Sequence, residues 1–239
     1  FNITHPCKQS VMEHLHELSD AARALGAVNC VVIREDGTFY GDNTDYSGFI
    51  AGLKRGLPQV AEDPARLEHV VQLGAGGAGS ATAYALCRLG VRRLSLFERD
   101  AAKAQGLAEQ LGELFPQTRI EVLTKDERLI EALLEAQGLV NATPVGMHVH
   151  PGMPLSESVQ AAGVLREGLW VADVIYLPQQ TQLVRAARAA GCEVLTGGYM
   201  AVGQAVDAFR LFTGLEPNAE RMAAHFEALI AAQQGVANA

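Results

Sequence analysis

A glycine-rich segment in the middle of the chain has the composition of a phosphate-binding turn. The apolar residues 70–73 lead directly into Gly-Ala-Gly-Gly-Ala-Gly at 74–79, and a helix-forming segment follows at 80–89. In the pattern G-x-G-x-x-G the first glycine permits a tight turn, the second admits a pyrophosphate, and the third lets helix and strand pack closely. The segment therefore predicts a dinucleotide site, with a purely structural strand-to-helix turn as the alternative.

An acidic residue at the end of the next predicted strand bears on which dinucleotide binds. Glu98 lies about 20 residues beyond the glycines, where a carboxylate accepts hydrogen bonds from an adenosine ribose and repels a 2′-phosphate. Asp100 adds a second negative charge, whereas Arg99, Arg92 and Arg93 can pair with a phosphate. The sequence favours NAD over NADP, unless Glu98 is only a solvated carboxylate at a strand end.

Polar segments outside the glycine loop supply further residues that could do chemistry. Lys8 closes the segment 2–8, Asn29 closes 26–29, and Asp45 closes 41–45. A lysine beside a carboxylate can orient a hydroxyl group and move its proton, as oxidation of an alcohol requires. Judged by residue type alone, Lys8 is more simply a solvated lysine at a helix start, and Asp45 an N-cap for a helix at 46–55.

The elements that must position these residues alternate along the chain. From residue 69 onward, short apolar runs alternate with longer Ala/Leu/Glu-rich stretches, which predicts βαβ units and a parallel sheet covered by helices. The candidate strands are His69–Leu73, Arg93–Phe97, 120–123, Gly138–Asn141, 169–173 and Glu193–Leu195.

The flanking parts have other patterns. Before residue 69, the spacing of Val11, Leu15, Leu18 and Leu25 predicts one face of one or two helices. Asp-Gly at 36–37 predicts a tight hairpin turn. Residues 55–64 fit a surface connection. The last stretch, from 199 to about 232, has a helical composition broken at Gly214 and Pro217, and we place it against the N-terminal part.

Composition excludes several classes of protein. The 239 residues carry 19 Lys plus Arg against 27 Asp plus Glu, a net charge of −8, which argues against a nucleic-acid surface. No apolar run is long enough to cross a membrane, and no signal peptide is visible. The scattered Cys7, Cys30, Cys87 and Cys192 indicate reduced thiols in a cytoplasmic protein. The pair His148 and His150 lacks a third ligand, so we predict a loop and no metal site.

Six ordered motifs give the chain a specific resemblance to the shikimate/quinate dehydrogenase family. They are N-[VI]-T-x-P-x-K at 2–8, G-A-x-N at 26–29, N-T-D-x-x-G at 43–48, N-A-T-P-x-G-M at 141–147, D-x-x-Y at 173–176 and G-x-x-M-x-x-x-Q-A at 197–205. The resemblance implies an α/β fold with a Rossmann-type parallel-sheet dinucleotide domain at 46–198. It also implies an α/β substrate domain formed from 1–45 and the C-terminal helices at 199–239.

The resemblance also implies roles for individual residues. Lys8 and Asp45 would be the catalytic pair in reversible hydride transfer between a nicotinamide and a ring hydroxyl of shikimate or quinate. The residues around this small ring carboxylate would be Thr4, Lys8, Asn29, Asp45, Tyr176 and Gln204. The residues around the cofactor would be Gly74, Ala75, Gly76, Gly77, Ala78, Gly79, Glu98, Arg99, Asn141, Thr143, Val174, Gly197 and Met200.

Two branches of the family differ in cofactor. The NADP-dependent branch that uses shikimate typically carries Asn-Arg-Thr after the second strand, whereas residues 98–100 here are Glu-Arg-Asp. Residues 141–152 also resemble the NAD-dependent branch that accepts quinate as well. We therefore expect an NAD-dependent quinate/shikimate dehydrogenase. The alternatives are an NADP-dependent shikimate dehydrogenase of aromatic amino acid biosynthesis and a catalytically silent dinucleotide-binding homologue.

Two further expectations concern the extent and assembly of the protein. Family members usually carry additional strands, a helix and a Ser-x-Ser segment before the first motif, so a chain that starts at Phe1 predicts a substrate domain truncated at its N-terminus. We expect a monomer or a homodimer.

Overall fold

Six parallel strands form the larger of two sheets, in the computed structural model that describes residues 1–4 and 6–237 and side chains up to residue 232. The strands are β4 (His69–Leu73), β5 (Arg93–Phe97), β6 (Arg119–Leu123), β7 (Gly138–Asn141), β8 (Trp170–Asp173) and β9 (Glu193–Leu195). Their spatial order is β6-β5-β4-β7-β8-β9, the order of a doubly wound dinucleotide fold. All six predicted strands are confirmed to within one residue.

A smaller sheet lies in the N-terminal part of the chain. It contains β1 (Glu17–Leu18), β2 (Cys30–Ile33) and β3 (Phe39–Asp42) in the order β1-β3-β2. The predicted hairpin is confirmed, because β2 and β3 pair antiparallel across a turn in which Gly37 adopts a φ of +81°. A φ in this region favours glycine, which explains the Asp-Gly sequence.

Ten α-helices connect and cover the strands in the described part of the chain. They are α1 (Asp20–Leu25), α2 (Asp45–Gly56), α3 (Pro58–Glu62), α4 (Gly77–Arg88), α5 (Ala101–Leu114), α6 (Asp126–Glu135), α7 (Glu157–Ala161), α8 (Gln182–Ala189), α9 (Gly197–Thr213) and α10 (Ala219–Ala237). The predicted break near Gly214 and Pro217 is confirmed, since α9 ends at a left-handed Gly214 and α10 begins two residues after Pro217.

Alternation along the central strand divides the core into two layers. In β4, Val70 packs with α4, α5 and α2 on one face, and Val71 packs with α6 and α8 on the other. Every residue of β4 is buried. This is the pattern of a strand covered by helices on both faces, and it places the end of β4 at the centre of the sheet.

Two local predictions were wrong. The segment with Val11, Leu15 and Leu18 is not an α-helix, because Ser10–His14 is a 3-10 helix and Leu18 belongs to β1. The three side chains still share one small core, and Leu15 and Leu18 fill the space above Gly41 in β3, which favours the extended pairing. The segment 55–64 is not a plain connection either, since it contains α3.

Helices α2 and α9 cross at very short range. A Cβ atom added to Gly48 in α2 would lie 2.4 Å from the backbone nitrogen of Gln204 in α9, and one added to Gly203 would lie 2.5 Å from the carbonyl oxygen of Gly48. Helix α2 also contacts α4, where Tyr46 and Tyr84 stack edge to face at 5.1 Å. These contacts hold α2 between the C-terminal helices and the helix that follows the glycine loop.

A buried polar network lies near the end of the large sheet at which β4 and β5 begin. His69 is 4% exposed, and its Nε2 lies 2.8 Å from the hydroxyl of Ser95, which donates to Glu121. Arg93 donates to the same carboxylate. The Ser95 proton is committed to Glu121, so His69 donates from Nε2 and its Nδ1 is a buried acceptor without a partner in the described residues. Burial, with the nearby Arg93, lowers the pKa of His69 to about 4.

We expect this histidine to make folding sensitive to acid. The unfolded chain binds a proton at its ordinary pKa of about 6.5, whereas folded His69 does so only near 4, so stability falls as the pH drops through this window. The free energy of unfolding should fall by about 2 kcal/mol between pH 7.5 and pH 5 on this account. Chemical denaturation at both pH values tests the prediction. His69→Gln, which does not titrate, should lose that part of the dependence, and an unchanged dependence would contradict it.

Candidate active site

An ion pair joins two of the segments singled out in the sequence. Lys8 Nζ lies 2.5 Å from Asp45 Oδ2, across 37 positions of the chain. The side chain of Lys8 is 23% exposed and that of Asp45 is 11% exposed, so the pair is largely buried and reaches solvent mainly through the lysine. The structure thus brings together the predicted catalytic lysine and carboxylate.

The second carboxylate oxygen of Asp45 is held from inside. Asn29, which is 4% exposed, donates from Nδ2 to Asp45 Oδ1 and to Thr44 Oγ1, both at 3.0 Å, and accepts from the backbone of Thr44. Asp45 is the first residue of α2, and Thr44 occupies the N-cap position. The alternative that Asp45 is merely an N-cap is therefore wrong. Asn29 orients Asp45, and its contact with a substrate stays a prediction.

Backbone pairing explains why Lys8 reaches this place. Ile3 N–H donates to the carbonyl of Asn29 at 2.7 Å, and Val28 N–H donates to the carbonyl of Lys8 at 2.8 Å. The N-terminal segment therefore runs along residues 28–31, and Lys8 is delivered to the end that carries Asn29. The side chains of the pair need no loop closure to meet.

The other predicted substrate residues lie in more open positions. Thr4 is exposed and precedes the turn that leads to Lys8. Gln204 lies in α9 and is partly buried where this helix crosses α2. It faces Gly48 of α2, three residues after Asp45, and its side-chain amide donates to the carbonyl of Ala201. Tyr176 is 51% exposed and packs edge-on against Phe226 at 6.3 Å. The structure gives no direct contact from these three to the Lys8–Asp45 pair.

The glycine loop has the form that a dinucleotide needs. Gly74 adopts a φ of +94°, and a Cβ atom at Gly79 would lie 2.4 Å from the carbonyl of Gly74. A Cβ atom at Gly77 would meet nothing within 4 Å, and at Gly76 it would meet only the amino group of Lys103, so this side of the loop is open. Gly76 is the N-cap of α4, and no side chain within the described residues caps that helix. Its N–H groups are thus available to phosphate.

Buried polar side chains bind the backbone of the glycine loop from the side of β4. Gln72, fully buried in β4, donates to the carbonyls of Gly74 and Gly79 at 2.9 and 2.8 Å, and accepts from Thr82. The exposed face of the loop is formed by Gly76, Gly77 and Ala78, whereas Ala75 is buried. The residues present therefore fit an adenine dinucleotide at the end of β4.

Glu98 lies directly beside this loop. Its Oε2 accepts from the backbone N–H of Ala75 at 3.0 Å, and its Oε1 accepts from the N–H groups of Arg99 and Asp100. Asp100 caps α5 by accepting from Lys103 N–H. The carboxylate is thereby fixed where the fingerprint requires it. Two cations are near in sequence or space: Arg99 is the next residue and is exposed, and the amino group of Lys103 lies beside Gly76. Lys103 was not among the cofactor residues predicted from the sequence. Its position in the first turn of α5, five residues after Glu98, could have indicated that it lies near the glycine loop.

The side chains of the predicted cofactor residues Asn141 and Thr143 make hydrogen bonds within the protein. Asn141 is fully buried, donates to Asp173 and to the carbonyl of Val145, and accepts from Thr143. All polar atoms of the Asn141 side chain are thus hydrogen-bonded within the protein, and its contact with a cofactor stays a prediction. Burial raises the pKa of Asp173, which accepts from Asn141, Ile175 N–H and the Thr181 hydroxyl.

The three remaining cofactor candidates lie in the loop after β8 and in the first turn of α9. A Cβ atom at Gly197 would lie 2.4 Å from the carbonyl of Val174, so the start of α9 packs directly on the loop after β8. Met200 is 9% exposed and belongs to the core, although its helix crosses α2 at Gly52. The structure therefore brings Val174 and Gly197 together and gives Met200 a packing role.

Metal chemistry and membrane insertion find no support in the described residues. His148 and His150 are both exposed in a loop, and no group of three or more possible metal ligands occurs in the part of the chain that was described. No described helix is long and apolar enough to cross a membrane.

The comparisons with known proteins agree on one family. Family models for the shikimate dehydrogenase substrate binding domain and the shikimate 5′-dehydrogenase C-terminal domain match residues 1–31 and 199–225. A shikimate dehydrogenase (NADP(+)) from Arthrobacter sp. (strain FB24) is 56% identical over 233 residues, 98% of this chain and 75% of the relative. A quinate/shikimate dehydrogenase (NAD(+)) from Corynebacterium efficiens is 49% identical over 229 residues, 95% of this chain and 76% of the relative.

A solved structure extends the agreement to three dimensions. Quinate dehydrogenase from Corynebacterium glutamicum in complex with NAD matches with a TM-score of 0.85 and 46% identity, over 95% of this chain and 77% of that one. Similarity of this degree over nearly the whole chain confirms the predicted α/β fold and the resemblance carried by the six motifs. This chain belongs to the shikimate dehydrogenase family.

Proposed function

We propose that this chain is an oxidoreductase that transfers a hydride between NAD and a ring hydroxyl of quinate or shikimate. The corresponding ketones would be 3-dehydroquinate and 3-dehydroshikimate. One observation carries the proposal: the Lys8–Asp45 ion pair, oriented by Asn29, is intact in a chain that also keeps an open glycine loop. The pair supplies proton chemistry, and the loop is the place for a dinucleotide.

The role proposed for each residue follows from the chemistry of its side chain. When bound, the nicotinamide takes up or returns the hydride. Lys8 would hold the substrate hydroxyl and carry its proton, because an amino group can both accept and donate one. Asp45 would keep the Lys8 amino group in place and accept from a second hydroxyl. Thr4, Gln204 and Tyr176 would read the remaining oxygens, and a ring acid lacking one of these would leave protein groups unpaired.

The relatives of this chain are named for two different cofactors. The Arthrobacter relative is named for NADP(+) and the Corynebacterium relatives for NAD(+). Glu98 supports NAD, since its carboxylate is fixed beside the loop where a 2′-phosphate would lie. Arg99 and Lys103 are the observation that favours NADP-dependent shikimate dehydrogenase as the second candidate.

Absorbance of the reduced nicotinamide tests the function and the cofactor together. We expect reduction of NAD in the presence of quinate or shikimate, with kcat/KM at least about tenfold higher for NAD than for NADP, since the ribose-binding carboxylate repels the extra phosphate. A preference for NADP would overturn the cofactor assignment. Binding of NAD without reduction by either acid, up to about pH 10, would favour a catalytically silent homologue.

Three coarser features of the protein belong to the same proposal. We assign residues 1–45 and 199–239 to the substrate domain and 46–198 to the dinucleotide domain. Helix α9 crosses α2, the helix that begins at Asp45 where these two segments meet. We also propose a cytoplasmic location, because the exposed thiol of Cys7 and the three buried thiols of Cys30, Cys87 and Cys192 are all free. A monomer or a homodimer is expected, which sedimentation would distinguish.

A further inference from the structure

Asn43 joins two segments of the candidate active site through one side chain. The residue is 2% exposed. Its Oδ1 accepts from the backbone N–H of Asp45 at 3.0 Å, and its Nδ2 donates to the carbonyl of Ala27, also at 3.0 Å. Asn43 belongs to the motif at 43–48 but was not among the residues predicted to contact substrate or cofactor. Both of these contacts are nevertheless made to the backbone of the segments that carry Asp45 and Asn29.

The first contact sets the direction of the Asp45 side chain. Asp45 begins α2, and its N-cap residue Thr44 makes no side-chain capping bond. The side-chain-to-backbone bond from Asn43 to Asp45 closes a turn over residues 43–45, which fixes the backbone from which the carboxylate projects. Without this bond, the N–H group of Asp45 would lack its partner in the described structure.

The second contact acts on the neighbouring segment. The carbonyl of Ala27 lies two residues before Asn29, whose amide holds Asp45 Oδ1, and one residue before Val28, whose N–H group binds the carbonyl of Lys8. Asn43 thereby ties the backbone that carries the carboxylate to the backbone that carries the orienting amide, and the lysine segment joins the latter through Val28.

Asn43 is itself held in place. Its backbone N–H donates to Asp42 Oδ1 at 2.7 Å, and the same oxygen accepts from the hydroxyl of Ser19, the N-cap of α1. The backbone carbonyl of Asp42 accepts from Asn29 N–H. The support for the pair therefore reaches from α1 to α2 through consecutive hydrogen bonds.

We infer that Asn43 is a positioning residue for the Lys8–Asp45 pair, acting through the backbone of Asp45 and of the segment that precedes Asn29. The inference rests on the proposed function. It does not place Asn43 in contact with substrate or cofactor. A displacement of about 1 Å at reacting groups can lower turnover a hundredfold, so loss of this support should be visible in kcat.

Two variants separate the contacts. Asn43→Ala removes both, and we expect kcat with quinate or shikimate to fall about ten- to a hundredfold while the Kd for NAD stays within twofold. Asn43→Ser keeps an acceptor that can close the turn to Asp45 N–H but is too short to reach Ala27, so it should recover part of the lost kcat. The matched control is Asn218→Ala, because Asn218 accepts from Arg221 N–H at the start of α10, remote from the pair.

The readouts distinguish positioning from general destabilisation. Thermal unfolding should show folded protein for all three variants, and only the Asn43 variants should lose kcat at unchanged affinity for NAD. Activity of Asn43→Ala within twofold of the wild type would overturn the inference. If Asn43→Ala does not fold, Asn43→Ser decides alone: a fall in kcat of at least threefold at unchanged NAD affinity supports the inference, and wild-type kcat overturns it.

A structural readout covers failure of the proposed function. If the unmodified protein reduces neither NAD nor NADP with either ring acid, the proposed function fails, and crystal structures of the wild type and of the Asn43 variants then test positioning directly. Separation of Lys8 Nζ and the Asp45 carboxylate beyond 4 Å in the variants supports the inference. An unchanged ion pair overturns it.

Discussion

Replacing Lys8 by alanine is expected to lower kcat with quinate or shikimate at least a hundredfold, the scale of general acid–base effects. Among the described residues, the Lys8 amino group is the one cation paired with Asp45, with Nζ 2.5 Å from Oδ2, and it is the more exposed member of the pair. The fold should tolerate the change, because Asp45 Oδ1 keeps its hydrogen bond from Asn29. Steady-state kinetics and the Kd for NAD, which should change little, measure the effect.

Lys8→Arg makes the test more specific. Arginine keeps the positive charge beside Asp45, yet its guanidinium does not release a proton in the accessible pH range. If proton transfer is the role of Lys8, the arginine variant should also lose most of its turnover, whereas a purely electrostatic role predicts that it is retained. Lys54→Ala, at an exposed lysine in the last turn of α2, serves as the control. Near-normal turnover in Lys8→Ala would refute the assignment.

The double substitution Glu98→Asn with Asp100→Thr is expected to reverse the cofactor preference. It removes both carboxylates beside the glycine loop and leaves the cations Arg99 and Lys103 free to pair with a 2′-phosphate, which charge-assisted hydrogen bonds favour. Threonine at 100 can still cap α5, as Asp100 does now. We expect the ratio of kcat/KM for NAD to that for NADP to fall by about a hundredfold, the combined effect of lost repulsion and gained pairing.

A third change identifies the source of the gain. Arg99→Gln in the double variant should return most of the lost discrimination, because it removes a phosphate partner without restoring a carboxylate. Kinetics with both cofactors and a single ring acid are sufficient. A double variant that still prefers NAD by the wild-type ratio would contradict the role given to Glu98.

The sequence was most informative where a pattern is local. Alternation of apolar runs predicted all six strands of the large sheet, and the glycine spacing predicted the turn after β4, because both patterns reflect how neighbouring residues share a strand or a turn. It failed at Leu18, which has helical spacing from Leu15. The pairing of β1 with β3 decided that segment, since Leu18 pairs with Gly41, and a partner 23 residues away leaves no trace in local spacing.

In the candidate site, too, the sequence indicated the residues, and the tertiary structure decided their contacts. Motif positions were enough to single out Lys8, Asn29 and Asp45 as residues of interest, and to weigh them against ordinary surface roles. Residue types could not tell that the Asn141 side chain is saturated inside the protein, nor that Asn43 spans two segments, because both facts depend on which carbonyl lies opposite an amide.

By itself, then, the amino-acid sequence determined the α/β class, the turn that can hold a dinucleotide, and the family. Only the tertiary structure decided that Lys8 Nζ and Asp45 Oδ2, 37 positions apart, lie 2.5 Å from each other and that Asn29 donates to the other carboxylate oxygen. It also decided that Glu98 accepts a hydrogen bond from the glycine loop, at the N–H group of Ala75. The physical reason is that periodicity and glycine spacing are properties of neighbouring residues. An ion pair, in contrast, forms only after sheets and helices have brought distant segments together.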